Sequence, residues 1–444
     1  MISRYFQLKE KNTNIRIELV AGLTTFLTMA YIIFVNPNIL SDATGMDKEA
    51  LITITCIVTA AATIVTGILA NAPIAMAPGM GLNSFFAVLV ASGKMTWETA
   101  LGVVFLSGLL FLALTLSGMR KRIIEAIPPS LVSAIAVGIG LFITFIGLKS
   151  LGIVVRDEIT FVTAGPLTAI ALIGLFGLLV MIYLEMKKIT GALLIGILAS
   201  TMLAALCRQV QMPHQFISTH LDVSPVAFRL DVLSALKGGF FGTIFTLTFM
   251  DMFDSVGTLV ACCHQAKMVD QQGRIEGLGR LLGIDAVATV FGALLGTSTT
   301  TAYVESAAGI EQGGRSGLTS IVTGALFLLA LLFVPIVEIV PAYATAPALI
   351  MVGLFMMKEV KTIDFMNLEQ AFPAFIIVVM IALSYSISTG LAFGFISFTL
   401  IKLVAGKVKD IKPAMWVIAV LSALFLTLDR LGTVIEHLRH LLDL

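Results

Sequence analysis

Apolar runs long enough to cross a bilayer recur along the whole chain, and this constrains the fold more than any other feature. A hydrocarbon layer of about 30 Å takes about 20 apolar residues in helical form. Such runs fall at roughly 17–40, 50–70, 75–92, 97–117, 130–149, 166–184, 189–207, 238–263, 281–297, 299–311, 316–340, 343–358, 370–388 and 390–406. Without water to satisfy backbone groups, only helices and closed barrels span lipid, and runs of this length read as helices. The sequence therefore predicts an all-α polytopic membrane protein of fourteen spans. A further apolar run, Met415 to Leu428, follows a basic stretch and either spans or lies at the interface.

Composition excludes several other classes. Hydrophobic residues make up 58% and charged residues 12%, about half the charged share of a soluble domain. A net charge of +1 offers no field for nucleic acid. Cys56, Cys207, Cys262 and Cys263 show no metal-ligand spacing and read as small buried apolar residues. The histidines (His214, His220, His264, His437, His440) fall in loops or the tail. With no H-x-x-x-H pair in a span and no nucleophile–base set, an enzyme is not expected, and neither is a metal or other cofactor. The polar start, Lys9-Glu10-Lys11-Asn12, and the long run behind it argue against a cleavable signal.

Charge sets an orientation. With Lys9, Lys11 and Arg16 in the cytoplasm, every loop after an even-numbered span should be basic. These loops carry Arg120-Lys121-Arg122, Lys187-Lys188, Lys267 with Arg274 and Arg280, Arg315, Lys358 with Lys361, and Lys402 with Lys407, Lys409 and Lys412. A multi-pass protein of the cell (inner) membrane with a cytoplasmic N-terminus is expected. Residues 1–208 hold seven spans, the polar loop 209–235 separates them from seven more in 236–406, and an apolar segment and tail fill 407–444. An odd number per half turns the second half upside down, as inverted repeats require. A faint echo links Gly22-Leu-Thr-Thr-Phe-Leu-Thr-Met to Gly242-Thr-Ile-Phe-Thr-Leu-Thr-Phe.

Two spans are poor continuous helices. Span three opens Ala75-Met-Ala-Pro78-Gly79-Met-Gly81-Leu-Asn83, where proline removes a donor and glycine weakens the helix. Span ten carries Thr297-Ser-Thr299-Thr300-Thr301, a β-branched run that favours extended backbone. Corresponding interrupted spans in two halves are the sequence pointer to a transporter site.

Carboxylates converge there. Asp251 and Asp254 share a face of span eight, and Glu305 lies in span ten. An acid at mid-bilayer costs roughly 2.5–3.5 kcal/mol and marks function by default. No lysine or arginine lies in these segments; carrying a proton is one way to lower the cost, and a proton-coupled carrier needs such a group. Asp285 and Glu338, near span ends, are expected at the interface. Anions would want basic groups, so the acids favour a neutral planar heterocycle: carboxylates accept from ring N–H groups, an amide such as Asn83 donates and accepts, and Phe85, Phe86 or Tyr303 can stack. The competing readings are an anion carrier, an intramembrane enzyme and a channel.

At these residues the chain resembles the nucleobase–cation symporter-2 family, in its adenine/guanine/hypoxanthine permease branch. The resemblance rests on Gly22-Leu-Thr-Thr-Phe-Leu-Thr-Met-Ala-Tyr31 through Asn36-Pro37, Ala77-Pro-Gly-Met-Gly-Leu-Asn83, Phe253-Asp254-Ser-Val-Gly-Thr258, and Thr301-Ala-Tyr303-Val-Glu305-Ser-Ala-Ala-Gly309 with Gly313-Gly-Arg315-Ser-Gly-Leu-Thr319. It implies two inverted repeats of seven spans, with short strands in spans three and ten. It implies a core domain of spans 1–4 and 8–11, a gate domain of spans 5–7 and 12–14, and an elevator-like movement between them. Substrate is expected against Asn83, Phe85, Asp254, Thr301, Tyr303 and Glu305, and proton coupling at Glu305, Asp254 and Asp251. Proton symport of a purine, guanine or hypoxanthine before adenine, and a homodimer are implied as well. A uracil or xanthine permease is the alternative within the family, and an anion carrier the alternative on the fold.

Overall fold

A computed structural model describes residues 2–118, 127–210, 217, 221–237, 240–269, 275 and 277–441, with side chains up to 427. Arg120, Lys121, Arg122, Arg274, His214 and His220 lie outside the described residues, and so do the side chains of His437 and His440. The fold is mostly helical and polytopic. Among the described residues ten helical stretches have the length and apolar character to cross a membrane, and four shorter apolar helices accompany them.

The first half runs α1 (Ile15–Met29), α2 (Ile32–Thr44), α3 (Lys48–Val65), β1 (Met76–Pro78), α4 (Met80–Ala91), α5 (Trp97–Leu116), α6 (Pro129–Ser150), the hairpin β2 (Val154–Asp157) and β3 (Phe161–Ala164), α7 (Ala169–Met186) and α8 (Ala192–Leu206). The second runs α9 (Phe241–Gln265), α10 (Leu278–Leu295), β4 (Thr300–Ala302), α11 (Ser306–Glu311), α12 (Gly317–Ala330), α13 (Ala342–Met357), α14 (Leu368–Leu383), α15 (Ile387–Val404) and α16 (Pro413–Leu441). Polar side chains start several helices. Asn14 accepts from the Ile17 N–H at 3.0 Å, and Asp47 from that of Ala50 at 2.8 Å. Each cap satisfies a donor that has no partner within the helix.

The chain divides into two compact units, Met1–Leu116 with Ile143–Val352, and Ser117–Phe142 with Gly353–Leu444. In the second unit, α14 and α15 pack through glycine. A Cβ on Gly394 would lie 2.0 Å from Ile377 Cγ1, so only glycine permits that approach. Glu369 holds Lys402 at 2.7 Å and Lys407 at 2.5 Å.

The first unit holds the strands. β1 pairs antiparallel with β4 in the register Met76↔Ala302, Ala77↔Thr301, Pro78↔Thr300. Such a ribbon leaves open edges, which must be satisfied inside a membrane protein. Threonine supplies both. The Thr63 hydroxyl, on α3, bonds both the N–H and the C=O of Met76 at 3.0 Å. The Thr289 hydroxyl, on α10, lies 3.2 Å from the Thr300 N–H and 2.9 Å from its C=O. The helix preceding each strand thus serves that strand in the same way.

Span one, expected over 17–40, is a helical stretch over Ile15–Thr44, interrupted at Ala30–Tyr31 between α1 and α2 with both residues in right-handed helical conformation. α10 begins at Leu278, which places Asp285 two turns inside the helix, and the residue is fully buried in the protein. Glu338 is exposed, at the end of a short helix.

Candidate functional site

The site forms where two helices begin directly after the paired strands. Pro78 ends β1, Gly79 precedes α4, and the Gly79 N–H donates to the Thr299 carbonyl at 3.0 Å. A Cβ at Gly79 would sit 2.8 Å from Thr301 Cγ2 and 3.8 Å from Asp254 Oδ2. Glycine therefore lets the start of α4 approach both β4 and α9. On the other strand, Tyr303 follows β4 and Glu305 immediately precedes α11.

Asp254 and Glu305 are the open acids. Both are partly exposed, whereas their neighbours Phe253, Ser255, Tyr303 and Ser306 are buried. Among the described residues the Asp254 carboxylate has no hydrogen-bond partner, yet it lies within electrostatic range of Glu305. Glu305 is anchored: the Tyr31 hydroxyl donates to its Oε1 at 2.5 Å. Asp251, one turn before Asp254, is buried with its Oδ2 2.9 Å from the Thr289 hydroxyl, whose one hydrogen is shared between this carboxylate and the Thr300 carbonyl. It therefore faces the strand-binding threonine.

The remaining expected residues are buried around these acids. Thr301 pairs its hydroxyl with that of Ser255 at 2.8 Å, fixing β4 to α9. The Tyr303 hydroxyl donates to the Pro78 carbonyl at 2.6 Å, and its N–H donates to the Ala75 carbonyl at 3.0 Å. Phe85 and Phe86 are buried on α4. Asn83 lies in the interior rather than at an open surface. Its amide donates to Asn36 Oδ1 at 2.5 Å, and its oxygen accepts from the Ser298 hydroxyl. Asn36 in turn donates to the hydroxyls of Thr55 at 2.8 Å and Thr297 at 3.3 Å. This network joins α2, α3, α4 and the turn before β4.

Sequence reasoning gave no role to Tyr31, Asn36, Ser255, Thr289 or Ser298. Their partners lie tens to hundreds of residues away, and no local pattern announces them. The available signal for Tyr31 was a phenol within an otherwise apolar stretch of span one. Among the described residues no group of three or more metal-ligating side chains occurs.

Residues 16–393 match the model of the permease family, which includes the nucleobase–cation symporter-2 proteins. A protein named as a permease in Methanocaldococcus jannaschii is 45% identical over 95% of this chain and 97% of its own. The guanine/hypoxanthine permease PbuG of Bacillus subtilis is 41% identical over 95% of this chain and 98% of its own. The adenine permease AdeP of Escherichia coli is 39% identical over 96% and 95%. Among solved structures, the transmembrane domain of the cyanobacterial bicarbonate transporter BicA has a TM-score of 0.65 at 16% identity, covering 84% of this chain and 97% of its own. Murine Slc26a9, an anion transporter in its inward-facing state, has a TM-score of 0.66 at 12% identity, covering 88% and 69%. At those identities the likeness speaks for the fold alone. These relatives are permeases rather than enzymes, and the chain belongs to the permease family as a nucleobase–cation symporter-2 protein of the adenine/guanine/hypoxanthine branch.

Proposed function

We propose that this protein imports a purine nucleobase by proton symport, with guanine or hypoxanthine favoured over adenine. One observation carries the reading: a partly exposed Asp254 carboxylate on α9, without a hydrogen-bond partner among the described residues, stands near a second acid, Glu305, in the broken span ten. Such a carboxylate suits the adjacent N–H donors of guanine. The segments around it carry no lysine or arginine, which disfavours an anion despite the fold shared with anion transporters. The branch names of the relatives favour a purine over uracil or xanthine. The proton is the coupling ion, held in turn by Glu305 and Asp254, with Asp251 as a buried neighbour; no cofactor takes part.

The rest of the reading follows from this. Fourteen spans form two inverted repeats, and the matching roles of Thr63 and Thr289 support that relation. Spans 1–4 and 8–11 make the core and the rest the gate, moving as an elevator in a homodimer of the cell (inner) membrane, N-terminus in the cytoplasm. Asn83, Phe85, Thr301 and Tyr303 shape the substrate cavity.

The test is neutralisation of each acid. Asp254→Asn and Glu305→Gln should each lower uptake of labelled guanine at least about tenfold at wild-type membrane abundance, the scale of one hydrogen bond to a charged group. Wild-type uptake by both would remove the site.

A further inference from the structure

One side chain at Glu305 has no part in the reading above. Span one breaks at Ala30–Tyr31, and Tyr31 lies in that break, 1% exposed. Its hydroxyl hydrogen goes to Glu305 Oε1 at 2.5 Å. From the last turn of α1, the Thr28 hydroxyl lies 3.4 Å from the Glu305 carbonyl. The single hydrogen of Thr28 has nearer acceptors in the Thr25 carbonyl at 2.9 Å and the Thr24 carbonyl at 3.1 Å, so the Tyr31 hydroxyl is the firm hold on residue 305. No proline or glycine occupies the break, so the polar grip on residue 305 is the feature that distinguishes it.

A phenol has one hydrogen to give. While it is given to Oε1, that oxygen is an acceptor, and a proton arriving from solution is received at Oε2. If Oε1 were to take the proton instead, the carboxylic O–H would become the donor and Tyr31 would have to turn its own hydrogen elsewhere. The geometry points to Tyr31 as a positioning residue for coupling: it fixes which Glu305 oxygen carries the proton and ties that event to the break in span one. This inference rests on the reading that Glu305 carries the coupling proton.

The test compares two activities of the same protein in proteoliposomes. Concentrative uptake of labelled hypoxanthine, driven by an imposed proton gradient, requires coupling. Counterflow exchange, with no gradient, requires substrate movement alone. Tyr31→Phe keeps the ring and removes the hydroxyl. The ratio of concentrative uptake to counterflow should fall about tenfold, the scale of a lost charge-assisted hydrogen bond. Poor folding or low abundance lowers both activities together and leaves the ratio as it was. A wild-type ratio in Tyr31→Phe overturns the inference. If that variant shows neither activity, 3,5-difluorotyrosine placed at position 31 preserves the shape and alters only the donor. The pH midpoint of concentrative uptake should then move, and an unmoved midpoint overturns the inference. Wild-type protein that exchanges hypoxanthine without gradient-driven accumulation refutes the proton-symport reading instead, and so separates the two failures.

Discussion

The carboxylate of Glu18 accepts the hydroxyl of Thr319 at 2.6 Å, across 301 positions of sequence. The same carboxylate accepts the backbone N–H groups of Arg315 at 3.0 Å, Ser316 at 3.3 Å and Thr319 at 3.2 Å. Glu18 is in the first turn of α1 and fully buried, and these donors are the start of α12. A carboxylate at a helix N-terminus satisfies otherwise unpaired N–H groups and complements the helix dipole. Glu18→Ala should cost about 1–3 kcal/mol, because it leaves buried donors without an acceptor. Glu18→Gln should cost less, since one acceptor oxygen remains. Thermal unfolding in detergent checks both; an unchanged midpoint for the alanine variant would contradict the assignment.

Gly317 sits where α12 starts, against the π-helical turn that follows α3. A Cβ there would lie 1.9 Å from the Gly67 carbonyl oxygen, and a Cβ on Gly67 would lie 2.4 Å from the Gly317 oxygen. Both obstacles are backbone and cannot swing aside. Gly317→Ala and Gly67→Ala should each destabilise by at least about 2 kcal/mol. Gly283→Ala on α10, with nothing within 4 Å of the new carbon, should be tolerated or gain up to about 1 kcal/mol of helix propensity. Melting curves of the three variants decide, and equal behaviour would contradict the packing described.

Asn83 joins Asn36 and Ser298 in one buried network. Asn83→Ala removes the partner of each, at roughly 1–3 kcal/mol per stranded group, and frees the turn before β4 to shift. Competition of labelled hypoxanthine uptake by adenine, guanine and xanthine should give a changed rank or spacing of the three bases. A profile identical to wild type would remove Asn83 from the selectivity determinants.

Much of this architecture could be read from the chain. Pro78 with Gly79 and the threonine run 299–301 marked the broken spans, and the strands β1 and β4 lie there. The acids stood out because a charge within an apolar run has few structural excuses. What escaped the sequence is pairing at long range. Tyr31 meets Glu305 over 274 positions, and Glu18 caps a helix 297 to 301 positions away. Neither contact has a periodicity or spacing to reveal it. Asn83 is visible as a polar residue near a broken end, but its burial among Asn36 and Ser298 depends on how three separate segments meet. Helix ends are the least legible feature of an apolar run: α10 starts at Leu278 rather than near 281, and Asp285 lies two turns within it, fully buried.

The central claim is that Asp254 and Glu305 serve proton-coupled entry of a purine. The most direct measurement is uptake of labelled hypoxanthine in cells lacking their own purine permeases, competed by guanine, adenine, xanthine and uracil, with and without a protonophore. Saturable uptake, blocked by guanine and abolished by the protonophore, is the predicted result. Absence of uptake for every base, or uptake indifferent to the protonophore, would contradict it.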